Sequence, residues 1–278
     1  MKQYKRVLTI AGSDSCGGAG VQADIKTISA CGCYAMSAIT AITAQNTAEV
    51  RAIHNVPADM VAAQIAAVLE DVGADAVKLG MLPTAECVKA IAELLLQFNV
   101  PNVVLDPVVV STSGCRLIDE AALEAIRQHL FPLATVITPN IPETTCLTGV
   151  QIHSEQDFDQ AASVIHGQKV QAVLFKAGHL DSNVLTDYLY DDKQFIDRYQ
   201  YHRINTQNTH GTGCTLSSAI ATNLAKGYPL RESIQHAKSY ITQAIIAGKD
   251  LHIGHGNGPL WHFPDSVAQI CTFCAVVS

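Results

Sequence analysis

Short apolar segments alternate along the chain with longer segments in which apolar side chains recur every three or four residues. The short segments are predicted to be buried strands, and they lie at residues 6–10, 34–43, 76–79, 103–105, 135–138 and 170–176. The longer segments have the spacing of amphipathic helices, and they lie at residues 21–30, 57–70, 84–98, 119–130 and 154–166. This alternation is typical of an α/β fold in which helices cover a parallel sheet.

The last third of the chain departs from this alternation. Residues 184–204 are rich in β-forming side chains around an Asp-Asp-Lys sequence at 191–193, which predicts a hairpin. Residues 205–221 lead through a polar loop into a helix that ends near 226, and a final helix is predicted at 231–247. Because no linker or low-complexity segment interrupts the chain, we expect a three-layer αβα sandwich with a mainly parallel central sheet.

The loop that leads into the helix ending near 226 carries the glycine motif HGTGCT at residues 210–215. Two glycines allow a sharp bend, and the first turn of a helix leaves four backbone N–H groups unpaired at the positive end of the helix dipole. Such a turn binds anions, most obviously phosphate. The motif lacks the Lys and Ser or Thr of a Walker loop and the spacing of a dinucleotide fingerprint, so a plain tight turn remains the alternative interpretation.

A second glycine-rich loop, AGSDSCGGAG at residues 11–20, joins the first strand to the first helix. Gly18 and Ala19 stand where a Walker loop has Lys and Ser or Thr, so the loop suits the close approach of a ligand rather than a grip on a triphosphate. Gln45 follows the second predicted strand. Its side chain offers donors and an acceptor to the edge of an amino-pyrimidine or similar heterocycle, or alternatively caps its own loop.

Polar side chains follow three of the later strands. Asp106 comes after residues 103–105, Asn140 and Glu143 come after 135–138, and Lys176 ends 170–176. The carboxyl ends of strands are where open α/β sheets bind ligands, so these side chains are expected to meet the glycine motif there. Acids hold Mg²⁺ directly or through water, while Lys and backbone N–H groups neutralise phosphate. The combination indicates phosphoryl transfer, although Asp106 alone also suits a turn before proline.

Composition limits the partners. A hydrophobic content of 48% predicts a substantial core, and a formal net charge of −7 argues against a broad nucleic-acid or anionic-membrane surface. No apolar segment reaches the roughly 18 residues of a membrane span, and the first apolar run ends too early for a signal peptide. Nine scattered cysteines favour a reduced, cytoplasmic compartment. Cys271 and Cys274 form a lone C-x-x-C without a second pair, which favours ordinary thiols over a zinc or redox site.

Taken together, these motifs resemble those of the hydroxymethylpyrimidine/phosphomethylpyrimidine kinases of thiamine biosynthesis, in the ribokinase-like superfamily. The resemblance runs through LTIAGSDSCGGAGVQADIKT, ITAQNT, KLGML, VLDPV, ITPNIPE, FKAGH, NTHGTGCTLSSAIA and GNGPLWHF, and it ends at about Phe263. It implies a single ribokinase-like kinase domain over residues 1–263 and a tail at 264–278 outside the similarity. It also implies a homodimer that uses ATP and Mg²⁺ in two successive phosphorylations, of the hydroxymethylpyrimidine and of its monophosphate.

The resemblance also implies roles for individual residues. The pyrimidine pocket would be formed by Gly12, Asp24, Gln45, Met81 and Val108, with Gln45 reading the polar edge of the ring. Mg²⁺ and the ATP phosphates would be organised by Asp106 and Glu143, assisted by Asn140 and Lys176. The backbone amides of Gly211, Thr212, Gly213 and Cys214 would stabilise the transferring phosphoryl group. Independently of the resemblance, the small polar residues Ser111–Gly114 suit a segment that borders a nucleotide.

Cys214 departs from the wider superfamily, whose G-x-G-D motif supplies an Asp as base. A thiol at a helix N-terminus can have a lowered pKa, which makes a thiolate base chemically reasonable. A loose transfer needs little base assistance, however, so we expect Cys214 to position the acceptor hydroxyl and to contribute only modestly as a base. A pyridoxal or pyridoxine kinase with the same cysteine is the closest alternative, and a non-catalytic pyrimidine sensor on the same fold is an alternative of another class.

Overall fold

The computed structural model describes residues 4–109, 117–176, 183–191 and 194–264. Its strands are β1 (Arg6–Asp14), β2 (Tyr34–Gln45), β3 (Val50–Asn55), β4 (Ala76–Leu79), β5 (Val103–Leu105), β6 (Val136–Ile137), β7 (Ala172–Lys176), β8 (Val184–Asp191) and β9 (Gln194–His202). Its helices are α1 (Gly20–Ala30), α2 (Ala58–Asp71), α3 (Ala85–Gln97), α4 (Glu120–Ala125), α5 (Ile141–Thr148), α6 (Asp157–His166), α7 (Thr212–Ala225) and α8 (Leu230–Gly248). After α4 the chain continues as a π-helical turn, Ile126–Leu130, and a 3₁₀ turn, Phe131–Leu133.

The strands form one sheet in the order β3-β2-β1-β4-β5-β6-β7-β8-β9. The six strands from β2 to β7 in this order pair in parallel, whereas β3 at one edge and β8 and β9 at the other pair antiparallel. Parallel neighbours require crossover connections, and the helices that make them cover both faces of the sheet. The prediction of a three-layer sandwich with a mainly parallel sheet is confirmed.

Two apolar cores lie on opposite faces of the sheet. Successive side chains of a strand point to opposite faces, so Leu8 packs in the core under α2, α3, α4 and α6, and its neighbour Val7 packs in the core under α1, α7 and α8. Both side chains are fully buried. Because the central strands are buried on both faces, they read as continuous apolar runs, which made them predictable from the sequence.

Two elements escaped the sequence pattern. All six residues of β3 are exposed or half-exposed, so this edge strand lacks the apolar signal of its neighbours. The short helix α5 follows β6 directly, and its start is marked by a reciprocal cap in which Asn140 and Glu143 bond each other's backbone N–H groups. The predicted turn at 191–193 lies partly outside the described residues, but β8 and β9 pair antiparallel on either side of it. Ser111–Gly114 and the Cys271/Cys274 pair lie outside the described residues.

Within the described residues, no helix combines the length and the apolar character that crossing a membrane requires.

Candidate active site

The glycine motif forms a tight turn at the N-terminus of α7. Gly211 adopts a left-handed conformation with φ +86°, and a side chain there would collide with the carbonyl oxygen of Gly18 in the first glycine-rich loop. Only glycine therefore lets the two loops pack together. The N–H of Thr212, which the sequence also assigned to the phosphoryl group, donates to the Thr209 carbonyl at 3.2 Å, whereas the N–H groups of Gly213 and Cys214 have no acceptor among the described residues. The turn presents two free donors at the positive end of a helix dipole.

An acid–lysine cluster lies opposite this turn. Lys176 at the end of β7 donates a 2.8 Å hydrogen bond to Oδ1 of Asp106, the residue after β5, and Thr138 donates to the same oxygen at 3.2 Å. The Oε2 atom of Glu143 lies 3.8 Å from Lys176 Nζ and accepts the N–H of Asn140 at 2.8 Å. The strand ends and the first turn of α5 therefore bring together the four residues that the sequence assigned to the phosphates.

Burial and neighbouring charge set the protonation states of this cluster. Burial raises the pKa of Asp106, but Lys176 and Lys78 lower it more, so the net pKa is below its ordinary value. Burial raises the pKa of Glu143 to about 7, with Lys176 opposing the shift and Asp106 adding to it. The pKa of Lys176 lies above its ordinary value because Asp106 and Glu143 outweigh the effect of burial. The Lys176 ammonium is therefore shared by two carboxylates, those of Asp106 and Glu143, and Glu143 is the more easily protonated of the two.

A cavity of about 760 Å³ joins the turn and the cluster. Of the residues that the sequence assigned to the site, those on its wall are Gly12, Gln45, Met81, Val108, Asp106, Asn140, Glu143, Lys176, Gly211, Thr212, Gly213 and Cys214. The size is that of a small-molecule site. The cluster and the free N–H groups are within reach of one bound molecule, since a side chain on Gly213 would place its Cβ 3.4 Å from both Asp106 Oδ2 and Lys176 Nζ.

Asp24 is the one residue assigned to the pyrimidine pocket that does not reach the cavity wall. It is 0% exposed, and its carboxylate accepts hydrogen bonds from Lys78, Thr9 and Ser218. Asp24 therefore holds Lys78, which does line the cavity. The sequence missed Lys78 because its strand, AVKL, carries no mark that separates a buried Lys from an exposed one.

The state of Cys214 also differs from the sequence expectation. Although the thiol stands at a helix N-terminus, burial raises its pKa to about 11, while Lys78 lowers it by a smaller amount. The backbone N–H of Gly20 also hydrogen-bonds the sulfur. The thiol is therefore protonated at neutral pH, because here desolvation outweighs the local dipole. This agrees with a role in positioning.

Two further groups on the cavity wall were not singled out from the sequence. The Asp14 carboxylate accepts the backbone N–H groups of Cys16, Gly18 and Ala19 and contacts Nε2 of His210 at 2.9 Å. It thereby fastens the first glycine-rich loop to the α7 turn. From the sequence alone, simple packing of His210 beside the loop is the favoured interpretation, whereas this contact supports an orienting role.

Beside Lys176, whose cross-strand partner in β8 is Asp187, Lys238 of α8 donates a 2.7 Å bond to Asp187, and its Nζ lies 3.5 Å from the ring centroid of Tyr201. Burial lowers the pKa of Lys238, and Asp187 only partly offsets this. The antiparallel hairpin and helix α8 thus extend the cavity wall beyond β7. Only the fold brings these three residues together.

A mainly parallel α/β sheet, an acid–lysine cluster at its carboxyl edge and a helix N-terminus with free N–H donors are the parts of a ribokinase-like small-molecule kinase. Comparison with known proteins agrees and is more specific. The chain belongs to the phosphomethylpyrimidine kinase family, whose defining sequence pattern matches residues 14–261.

The relatives include a longer protein and proteins of similar length. The chain is 50% identical over 256 residues to the thiamine biosynthesis bifunctional protein ThiED of Geobacter sulfurreducens. The aligned region covers 92% of this chain but only 52% of that protein. The chain thus spans about half the length of that relative. It is 48% identical to the hydroxymethylpyrimidine/phosphomethylpyrimidine kinase of Rhizobium meliloti, over 92% of this chain and 96% of that protein. The ADP complex of Bacillus subtilis pyridoxal kinase has a TM-score of 0.87 at 36% identity and covers 95% of this chain and 100% of its own.

Proposed function

We propose that the chain transfers the terminal phosphoryl group of ATP to 4-amino-5-hydroxymethyl-2-methylpyrimidine and then to the resulting monophosphate, forming the diphosphate in thiamine biosynthesis. The observation that carries the proposal is the pair of free N–H groups at Gly213 and Cys214, which share a cavity with the Asp106–Lys176 pair. Donors that meet charge developing on a transferring phosphoryl group are the main requirement of this reaction. The 48% identity to a kinase named for both acceptors supports the choice of substrate.

On the donor side, Lys176 would neutralise a phosphate oxygen of ATP. Asp106 and Glu143 would hold Mg²⁺ through water, because Lys176 and Thr138 already donate to Asp106 Oδ1. The donor set fits the ion: two buried carboxylates on one wall offer the oxygen ligands that Mg²⁺ prefers. The chemistry that a bound Mg²⁺ would supply there is neutralisation of phosphate charge.

On the acceptor side, Gly12 and Met81 would form an apolar wall against the pyrimidine ring. An added Cβ at Gly12 would lie 3.1 Å from Met81 Sδ, so glycine is what leaves room there. Gln45 would read the polar edge of the ring with its amide. The protonated Cys214 would donate one hydrogen bond from its S–H group to the hydroxymethyl oxygen and hold it in line with the phosphoryl group.

Pyridoxal or pyridoxine phosphorylation is the second candidate. The specific observation in its favour is the similarity to Bacillus subtilis pyridoxal kinase over nearly the whole chain. Its 36% identity is lower than the 48% identity to the Rhizobium meliloti kinase, which favours the pyrimidine acceptors. A pyrimidine sensor would have no need of free donors beside a phosphate-binding lysine.

The test is incubation of the purified chain with Mg²⁺-ATP and, separately, hydroxymethylpyrimidine, its monophosphate and pyridoxal, with products followed by phosphorus NMR. We expect the monophosphate from the first acceptor and the diphosphate from the second. Pyridoxal phosphate without pyrimidine diphosphate would assign the chain to the second candidate. No transfer to any acceptor, with binding of the pyrimidine retained in calorimetry, would identify a sensor.

We also propose that the chain is a homodimer in the cytoplasm, as the resemblance implies. Light scattering in solution should give twice the mass of the chain. A monomer at the concentrations used for turnover would exclude a dimer as the active form.

A further inference from the structure

An ion pair lies buried behind the acceptor end of the cavity. Lys78 on the central strand β4 and Asp24 on α1 are both 0% exposed, and Lys78 Nζ lies 3.0 and 2.9 Å from the two oxygens of Asp24. Taking both charges out of water is costly, and an apolar pair of the same volume often stabilises such a site as well or better. Packing alone therefore does not account for the pair.

The carboxylate is fixed from three sides. Besides Lys78, Asp24 accepts the hydroxyl of Thr9 at 2.6 Å and the hydroxyl of Ser218 at 2.7 Å. An ammonium has three N–H donors, and two of them are directed at Asp24. For the third, no acceptor lies within hydrogen-bond distance in the described parts of the chain.

The pair lies one helical turn along α7 from Cys214. Ser218 is one helical turn after Cys214 on the same face of α7, so its bond to Asp24 places the ion pair against that face. Gly80 leaves the space that the ammonium occupies, since an added Cβ there would lie 2.9 Å from Lys78 Nζ. After Asp24, the ionisable groups that act most strongly on Lys78 are Cys214 and Asp106.

We propose that Lys78, held in place by Asp24, is a positioning residue of the phosphoryl-transfer site that acts through Cys214. This inference rests on the proposed function. The buried cation polarises the S–H bond, which makes the thiol a stronger hydrogen-bond donor to the oxygen of the acceptor hydroxyl. The sequence assigned Asp24 to direct contact with the pyrimidine, whereas in this proposal Asp24 acts indirectly, by orienting Lys78.

The charges around the thiol support this division of roles. Four ionisable groups act on Cys214: Lys78 from β4, Asp24 from α1, Asp106 after β5 and Lys176 at the end of β7. Burial is the largest influence and raises the pKa of Cys214, Lys78 is the largest opposing one, and Asp24 and Asp106 raise the pKa further. Removing Lys78 and removing Asp24 should therefore move the thiol in opposite directions.

The test measures alkylation of Cys214 by iodoacetamide between pH 7 and 11 in the ligand-free chain, with the modified peptide quantified by mass spectrometry. We expect Lys78→Met to slow alkylation at pH 9 about tenfold and Asp24→Asn to speed it about tenfold, each being about one unit in the pKa of the thiol. The matched surface variants Lys249→Met and Asp250→Asn, which alter an exposed pair, should leave the rate unchanged. In turnover, Lys78→Met should lower kcat with little change in the KM for ATP.

Alkylation needs neither ATP nor acceptor, so the two proposals can fail separately. Absence of kinase activity in the wild-type chain would overturn the proposed function without touching the thiol titration. Faster alkylation in both variants would show that the pair only keeps the core closed, and an unchanged rate in both would show that it does not act on Cys214. If Lys78→Met does not fold, Asp24→Asn alone tests the proposal, because this variant keeps the Lys78 cation. An unchanged or raised pKa of the Cys214 thiol in Asp24→Asn would then overturn the proposal.

Discussion

Replacement of Gly213 by alanine should separate the stability of the chain from its turnover. Gly213 is the second residue of α7, and its φ is not positive, so alanine fits the backbone. The added Cβ would lie 3.4 Å from Asp106 Oδ2 and from Lys176 Nζ, which is ordinary van der Waals contact. Because alanine loses less backbone entropy than glycine in a helix, we expect the free energy of unfolding to stay constant or to rise by up to about 1 kcal/mol.

Turnover should respond in the opposite sense. The new methyl group would stand between the free N–H donors and the Asp106–Lys176 pair, where the phosphoryl group has to pass. Displacing a reacting group by about 1 Å costs on the order of a hundredfold, and loss of one donor of this kind costs about 10²–10³ in kcat. We therefore expect Gly213→Ala to lower kcat at least about a hundredfold with both pyrimidine acceptors.

Thermal unfolding and a coupled assay of ADP release provide the two measurements. Gly211→Ala is the matched control: its φ of +86° and the collision with Gly18 should destabilise the chain, so that activity falls together with the folded fraction. The reasoning would be refuted if Gly213→Ala kept kcat within about threefold of wild type. It would equally be refuted if its activity fell only as much as its folded fraction.

Three further predictions concern the neighbouring groups. Glu143 has a pKa of about 7 in the folded chain and a lower pKa when unfolded, so its protonated form favours the fold at low pH, and this contribution is lost as pH rises through 7. The stability of Glu143→Gln relative to wild type should therefore be greater at pH 8 than at pH 5, by on the order of 3 kcal/mol. An equal stability difference at both pH values in thermal melts would contradict this. Cys214→Ala should lower kcat far less than Asp106→Asn, because the thiol is protonated at neutral pH; equal losses in the ADP assay would assign Cys214 the role of an essential base. Chelation of divalent cations with EDTA should abolish transfer and added Mg²⁺ should restore it, whereas full turnover in EDTA would exclude the proposed Mg²⁺ role.

Local pattern predicted most of the fold because its causes are local. Central strands are apolar on both faces and helices have their own period, so both can be read from short windows. The edge strand β3 carries no such signal, since its side chains lie in water or at its margin. The α7 turn was recognisable because glycines are required wherever a backbone bends with positive φ, as Gly211 does.

The electrostatics of the site could not be predicted in the same way. Lys78 and Asp24 are 54 residues apart, and the residues around each give no sign of the other. Cys214 shows the same limit: its position at a helix N-terminus predicts a lowered pKa, while the burial that raises it depends on what packs over the turn. A motif can identify the reacting residue, but the protonation state of that residue depends on the burial and the charges that the whole fold brings around it.

The buried lysines on the cavity wall do not form a surplus of positive charge. Lys78, Lys176 and Lys238 are each bonded to an aspartate, and Glu143 is a further buried acid that shares Lys176 with Asp106. An incoming nucleotide therefore meets a wall whose lysines are already matched, and only neutral N–H donors are free at the α7 turn. Breaking a buried pair to obtain a free cation costs about 3–5 kcal/mol. A divalent cation that arrives with the nucleotide avoids this cost and gives Glu143 a partner, which is why we expect transfer to depend on Mg²⁺.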